Sequence, residues 1–190
     1  EAVPVLDLLG EGTTFPRLII PGLYWDLGAT WPVEAREVLA DFVARGGTLV
    51  VHGSGESANT GRLLNQVFGF AVQEAACTEY ETMFHRTAVA TGTAFADDAL
   101  MLRECGGVSA LGTDSLPPGA RSVYENDGHS VVALMEWGDG LIVYLGWNWN
   151  NARPLGWTDG EGWYEVLGSA LWETGPRPRW PAIAVQPRSQ

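Results

Sequence analysis

The sequence contains no lysine: all eleven basic residues are arginine. Schiff-base chemistry and the lysine of a phosphate-binding loop are therefore excluded. Positive charge is scarce in general, with 11 basic against 23 acidic side chains and a net charge of −12. An acidic surface repels phosphate backbones and anionic headgroups, so neither nucleic acid nor an anionic membrane surface is an expected partner. No apolar run approaches the ~20 residues that a membrane-spanning helix requires, so no membrane insertion is expected. There are two cysteines, Cys77 and Cys105, too few for a disulfide framework. They either pair with each other or stand as buried free thiols. The three histidines, His52, His85 and His129, have no metal-ligand spacing. No metal and no cofactor is expected.

Apolar material is plentiful, at 46% of residues against 18% charged, which is enough for a sizeable core. The length of 190 residues fits one domain. Residues 1–174 read as that domain. Residues 175–190, which open Gly-Pro-Arg-Pro-Arg-Trp-Pro, read as a proline-rich tail or linker. The chain opens on Glu1 rather than Met, as expected of a processed or excised piece of a longer protein. A secreted or cell-surface location is favoured over the cytoplasm.

The pattern along the chain predicts alternating elements. Val3 to Leu9 is a candidate strand, and Leu18-Ile19-Ile20-Pro21-Gly22 is a buried strand closed by a turn. Thr30 is a candidate N-cap, with Pro32 in the first turn of an amphipathic helix carrying Ala35, Val38, Leu39, Phe42 and Val43 on one face. Gly46-Gly47 ends it, and Thr48 to Val51 is a second buried strand. Strand, helix and strand at this spacing predict two parallel neighbours. A helix follows from about Ala58 to Phe68. Residues 71–120 read as short strands and loops, with a strand around Thr87 to Thr93. Three strands, Arg121–Glu125, Val131–Trp137 and Leu141–Trp147, are separated by Asn126-Asp127-Gly128 and Gly138-Asp139-Gly140, tight-turn sequences that predict an antiparallel meander. Glu161 to Trp172 is the last helix.

The run from Leu18-Ile19-Ile20-Pro21-Gly22 to Gly46-Gly47-Thr48-Leu49-Val50-Val51-His52-Gly53, with the later Gly140-Leu141-Ile142-Val143-Tyr144-Leu145-Gly146-Trp147-Asn148-Trp149, resembles the class I glutamine-amidotransferase-like superfamily. The resemblance implies a three-layer, flavodoxin-like α/β fold. Its parallel core would be extended here by the antiparallel meander, with the first strand–helix unit shortened or missing. In the enzymes of that superfamily the elbow after the second strand carries a nucleophilic cysteine, and a later His-x-Glu pair completes a triad. Here the elbow reads His52-Gly53-Ser54-Gly55, and neither His85 nor His129 is followed by Glu at the second position. The amidotransferase triad does not carry over.

Candidate sites lie where ligands bind open parallel sheets, beyond the carboxyl ends of strands. Tyr24, Trp25 and Asp26 follow one such end. His52, Ser54 and Glu56 follow the next and offer hydroxyl, imidazole and carboxylate to nucleophilic chemistry. The simpler reading is a tight turn capping the next helix, whose N–H groups could also face an anion. Trp147, Asn148, Trp149 and Asn150 alternate aromatic and amide groups, a pattern suited to stacking sugar C–H faces and bonding their hydroxyls. The competing reading makes these tryptophans core. The sequence thus points to a non-catalytic ligand-binding or assembly domain of a larger bacterial protein, with carbohydrate or another protein as partner. The alternatives are a divergent hydrolase of a sugar or small ester, and a sugar-metabolism domain similar to the trehalose-utilisation branch of the same superfamily, which also lacks the elbow cysteine.

Overall fold

In the computed structural model, residues 17–77, 82–104, 107–148 and 161–176 are described. Strands β1 (Arg17–Ile20) and β2 (Thr48–His52) pair in parallel, Leu18 opposite Leu49 and Ile20 opposite Val51. They are joined through α1 (Leu27–Thr30) and α2 (Val33–Ala44). Helix α2 buries Ala35, Leu39, Phe42 and Val43, the stripe its spacing predicts. The start of this region departs from expectation. Thr30 closes the short α1 instead of capping α2, and Pro32 itself stands at the N-cap, where its missing N–H leaves no donor unpaired.

After β2 come α3 (Asn59–Phe68), β3 (Glu74–Ala76), β4 (Met83–Arg86), β5 (Met101–Arg103) and β6 (Ser109–Gly112). Next are β7 (Arg121–Asn126), β8 (His129–Trp137), β9 (Gly140–Leu145) and helix α4 (Glu161–Trp172). The strand expected around Thr87 to Thr93 is instead a 3-10 turn over Ala88–Ala90, and the neighbouring strand is β4. Two-residue turns set the register of the meander. Asp127 and Gly128 both take positive φ, 45° and 74°, the pair of left-handed residues that a type I′ hairpin requires.

The described strands form one sheet in the order β1-β2-β9-β8-β7-β4-β5, with β6 pairing both β3 and β8. It is a mixed, curled half-barrel, which corrects the three-layer flavodoxin-like expectation. Among the described strands only β1, β2 and β9 run parallel, and the remaining pairings are antiparallel. The physical reason lies in the connections. A parallel neighbour needs a crossover of a dozen or more residues, whereas a tight turn permits only an antiparallel one. Between α3 and β9 the described residues form six strands and no long helix. β9 therefore reaches β2 at the end of a meander and not through a βαβ unit. The expected strand Val3 to Leu9 lies outside the described residues.

Both faces of the central strands are buried. Along β9, Leu141, Val143 and Leu145 join one core with Trp163, Val166 and Ala170 of α4. Ile142 and Tyr144 join the other, with Leu39, Phe42, Leu63 and Phe68 of α2 and α3. The carboxyl ends of β1, β2 and β9 lie side by side as a result.

Candidate functional site

At the end of β2 the chain turns so tightly that only glycine fits. A Cβ on Gly53 would stand 2.3 Å from Ser109 Oγ and 2.4 Å from the Gly146 carbonyl. The Gly53 N–H donates to Leu145 O at 2.6 Å. His52 is fully buried, with its Nδ1 2.9 Å from Trp147 O. A carbonyl accepts only, so Nδ1 carries the proton. Burial pushes the imidazole below its ordinary pKa, and the Trp147 carbonyl opposes this in part.

Ser54 does not turn its hydroxyl proton to an imidazole. Its Oγ donates to Glu74 Oε2 at 3.0 Å and accepts from Thr60 N at 3.2 Å, while its own N–H donates to Glu74 Oε1 at 2.9 Å. Glu74 is the hub. Gly61 N donates to Oε2 at 2.7 Å, Ser109 Oγ to Oε1 at 2.7 Å, and Tyr144 OH to Oε1 at 3.2 Å. Burial, and then the Glu74 charge, hold the Tyr144 phenol well above its ordinary pKa. The elbow and the first turn of α3 do bind an anion, and that anion is the protein's own carboxylate. Residues with this much internal hydrogen bonding, and a serine shielded from solvent, form a structural knot and not an activated nucleophile. Glu56 is exposed on the 3-10 turn Gly55–Ser57 and does not join the cluster.

The loop after β1 is built differently. Leu23 O accepts Ser57 Oγ at 3.1 Å and Asn59 Nδ2 at 3.2 Å, which ties the loop base to the elbow. Asp26 caps α1 through Ala29 N at 2.9 Å and lies 3.7 Å from Arg62. Between these anchors Tyr24 and Trp25 stand 60% and 79% exposed. Trp147, by contrast, is 2% exposed and stacks on Trp163 at 6.3 Å, with Tyr164 edge-on at 5.3 Å. It is a core residue, and the sugar-platform role expected of it is corrected accordingly. Asn148 is buried beside it. Trp149 and Asn150 lie outside the described residues.

Cys77 is a free thiol, pushed up to about 12 by burial and, secondarily, by Glu104. Cys105 lies outside the described residues. Among the described residues no cluster of three or more His, Cys, Asp or Glu side chains could hold a metal ion, and no helix is long and apolar enough to cross a membrane. Glu74 is the residue that sequence reasoning missed. Its partners come from four separate segments, and no local pattern announces them.

This architecture defines a mixed α/β half-barrel with an internally neutralised elbow. No family model and no curated protein matches the sequence. Among solved structures it is similar to cytoplasmic protein STM1381 from Salmonella typhimurium LT2, with TM-score 0.50 and 13% identity over 87% of this chain and 75% of that one. Cytoplasmic protein STM3548 from Salmonella typhimurium gives TM-score 0.52 and 10% identity over 89% of this chain and 74% of that one. At such identities the likeness concerns the fold alone.

Proposed function

We propose that this chain is a non-catalytic binding module that takes carbohydrate on the loop after β1. The observation that carries the reading is Trp25, four-fifths exposed beside the exposed Tyr24 on a backbone pinned at both ends. A large aromatic held in water by a fixed loop is poor packing and good recognition surface. Its face suits the C–H face of a sugar, and the adjacent Asp26–Arg62 pair supplies acceptors and donors for hydroxyls. The hydrolase reading has less support, because the Ser54 proton is committed to Glu74. A protein partner is the second reading, favoured by the further exposure of Ile19 and Val33 in the same β1–α2 stretch.

Calorimetric titration with soluble cello-, xylo- and chito-oligosaccharides tests the proposal. At least one series is expected to bind, and Trp25→Ala is expected to lose that binding with an unchanged melting temperature. Absence of heat with all three series, or unaltered binding by Trp25→Ala, rejects it.

A further inference from the structure

On the face opposite α4, the end of α3, the turn after β6 and the end of β8 surround an open groove of about 760 Å³. Its floor is aromatic. Phe70 stands edge-on to Trp137 at 5.8 Å, and Phe68 does the same from below at 5.4 Å. Pro117 and Pro118 form one wall. Asp114 and Glu136 stand exposed on the rim. The groove therefore combines flat apolar faces with two uncompensated carboxylates, since no ion pair is formed by either among the described residues.

Such a surface selects a particular ligand chemistry. Proline rings lie flat on aromatic faces, and an extended proline-rich segment reaches them at low entropic cost. Arginine supplies the charge that the rim lacks. The sequence holds one segment of this kind. Residues 177–190 carry Arg177, Arg179 and Arg188, Pro178, Pro181 and Pro187, and no acidic residue. Their charge of +3 leaves −15 on residues 1–176.

The described chain also ends at the β8–β9 turn, which follows the groove residue Trp137. Thr48 Oγ1 donates to Glu173 O, and the Glu173 carboxylate accepts Ala94 N at 2.6 Å, which fixes the exit from α4. Gly175 then passes so closely over the β8–β9 turn that a Cβ on it would stand 2.6 Å from the Gly140 carbonyl carbon and 2.7 Å from Asp139 O. Gly140 is the register partner of Trp137, the central residue of the groove. From there a segment of this length spans about 40 Å at the ~3.1 Å per residue of an extended proline-rich chain.

The geometry points to this groove as the docking site for the chain's own segment Arg177–Gln190. Phe70 and Trp137 offer apolar faces for its prolines, and Glu136 and Asp114 offer carboxylates for its arginines. The proposal is independent of the sugar reading, which concerns a different loop.

Trypsin tests it on the full chain. Arg177 precedes proline and resists cleavage, so scission after Arg179, read by mass spectrometry as loss of residues 180–190, reports access to the segment. Cleavage is expected to be slow at low salt. It should quicken about five-fold in Asp114→Lys/Glu136→Lys, the size that loss of two exposed ion pairs produces. The unaltered protein should quicken similarly at about 0.5 M salt, where exposed charges are screened. The control pair Glu34→Lys/Glu37→Lys, on the N-terminal half of α2, should cleave like the parent. If the lysine pair lowers the melting temperature, Asp114→Asn/Glu136→Gln removes the charge with the shape retained. Equal rates in parent and groove variants overturn the proposal. So does equal acceleration by the control pair, which reduces the effect to general electrostatics. Protection that vanishes on dilution assigns the groove to a second copy's segment and overturns docking by the chain's own.

Discussion

Ser54 and Glu74 bind each other twice, the Ser54 N–H to Oε1 at 2.9 Å and the Ser54 hydroxyl to Oε2 at 3.0 Å. This pairing decides what the elbow is. A turn between a buried strand and a helix N-terminus presents N–H groups that attract an anion. Here the anion arrives from β3, twenty residues along the chain. The same carboxylate draws in Gly61 of α3, Ser109 of β6 and Tyr144 of β9. One side chain thus joins the parallel and antiparallel parts of the sheet.

Removing that carboxylate should cost more than any single surface contact. Glu74→Ala strands the Ser54 and Gly61 amides and the hydroxyls of Ser54, Ser109 and Tyr144 in a shielded site. At about 1–3 kcal/mol for each unsatisfied group, a loss of roughly 3–5 kcal/mol is expected after partial hydration. Glu74→Gln keeps the shape but turns an amide N–H₂ toward donors, so an intermediate loss of about 2 kcal/mol is expected. Urea unfolding with an unchanged denaturant slope checks both. A Glu74→Ala protein as stable as the parent would show that water replaces the carboxylate at no cost.

His52 should make stability fall on acidification. Its pKa in the folded chain is lowered by burial, so between that value and the ordinary ~6.5 the unfolded chain binds more protons than the folded one. Stability therefore rises with pH across this window. The contribution is complete above about 6.5 and is lost as pH falls toward the folded value, with a limiting slope near 1.4 kcal/mol per pH unit. His52→Asn retains a donor for Trp147 O and removes the titration. Unfolding curves at several pH values between about 7 and 5 should diverge, with the parent losing stability faster than the variant. Parallel curves would show that His52 does not titrate there.

The sequence displayed the parts of this fold that repeat locally. The stripe on α2, the Asp127-Gly128 and Gly138-Asp139 turns and the helix over Glu161–Trp172 are each set by neighbours within a few residues. Strands β3 to β6 are three or four residues long, too short for period two to register, and they occupy the stretch that read as irregular. The flavodoxin-like expectation came from the resemblance of the two motif-bearing runs, whereas the pairings of these short strands are set at a distance. The elbow between β2 and α3 was legible as a tight turn, but Glu74 was not, because it acts over separations that leave no sequence pattern. Period two put Trp147 on one side of an extended segment without saying which side meets water. Trp163 and Tyr164 of α4 decide that by covering it.

Trp147 offers a test of its core role. Its indole N–H is buried and has no hydrogen-bond partner among the described residues. The side chain therefore contributes through packing, and its polar group is a cost. Trp147→Phe keeps an aromatic face toward Trp163 and removes the orphan donor, so a loss of no more than about 1.5 kcal/mol is expected. Trp147→Ala opens a cavity and should cost about 3–5 kcal/mol. Chemical unfolding separates the two. If both variants cost the same, the indole N–H has a partner that matters.

Ala58 sits at the junction on which the elbow depends, at φ 51° and ψ 26°, immediately before α3. This left-handed conformation is costly for a residue with a Cβ, at roughly 1 kcal/mol. It is what turns Thr60 N toward Ser54 Oγ and Gly61 N toward Glu74. Ala58→Gly relieves the steric cost but gives the unfolded chain more freedom, worth about 0.5–1 kcal/mol in the opposite direction. The two nearly cancel, and a net change between zero and about +1 kcal/mol is expected. Ala58→Val adds a β-branch in the same conformation and should lose at least about 2 kcal/mol, because branching makes left-handed φ rarer still. Thermal melts of the three proteins give the order Gly, then Ala, then Val. An order with Ala58→Gly well below the parent would falsify backbone strain as the main property of this position and would assign the Ala58 methyl a packing role instead.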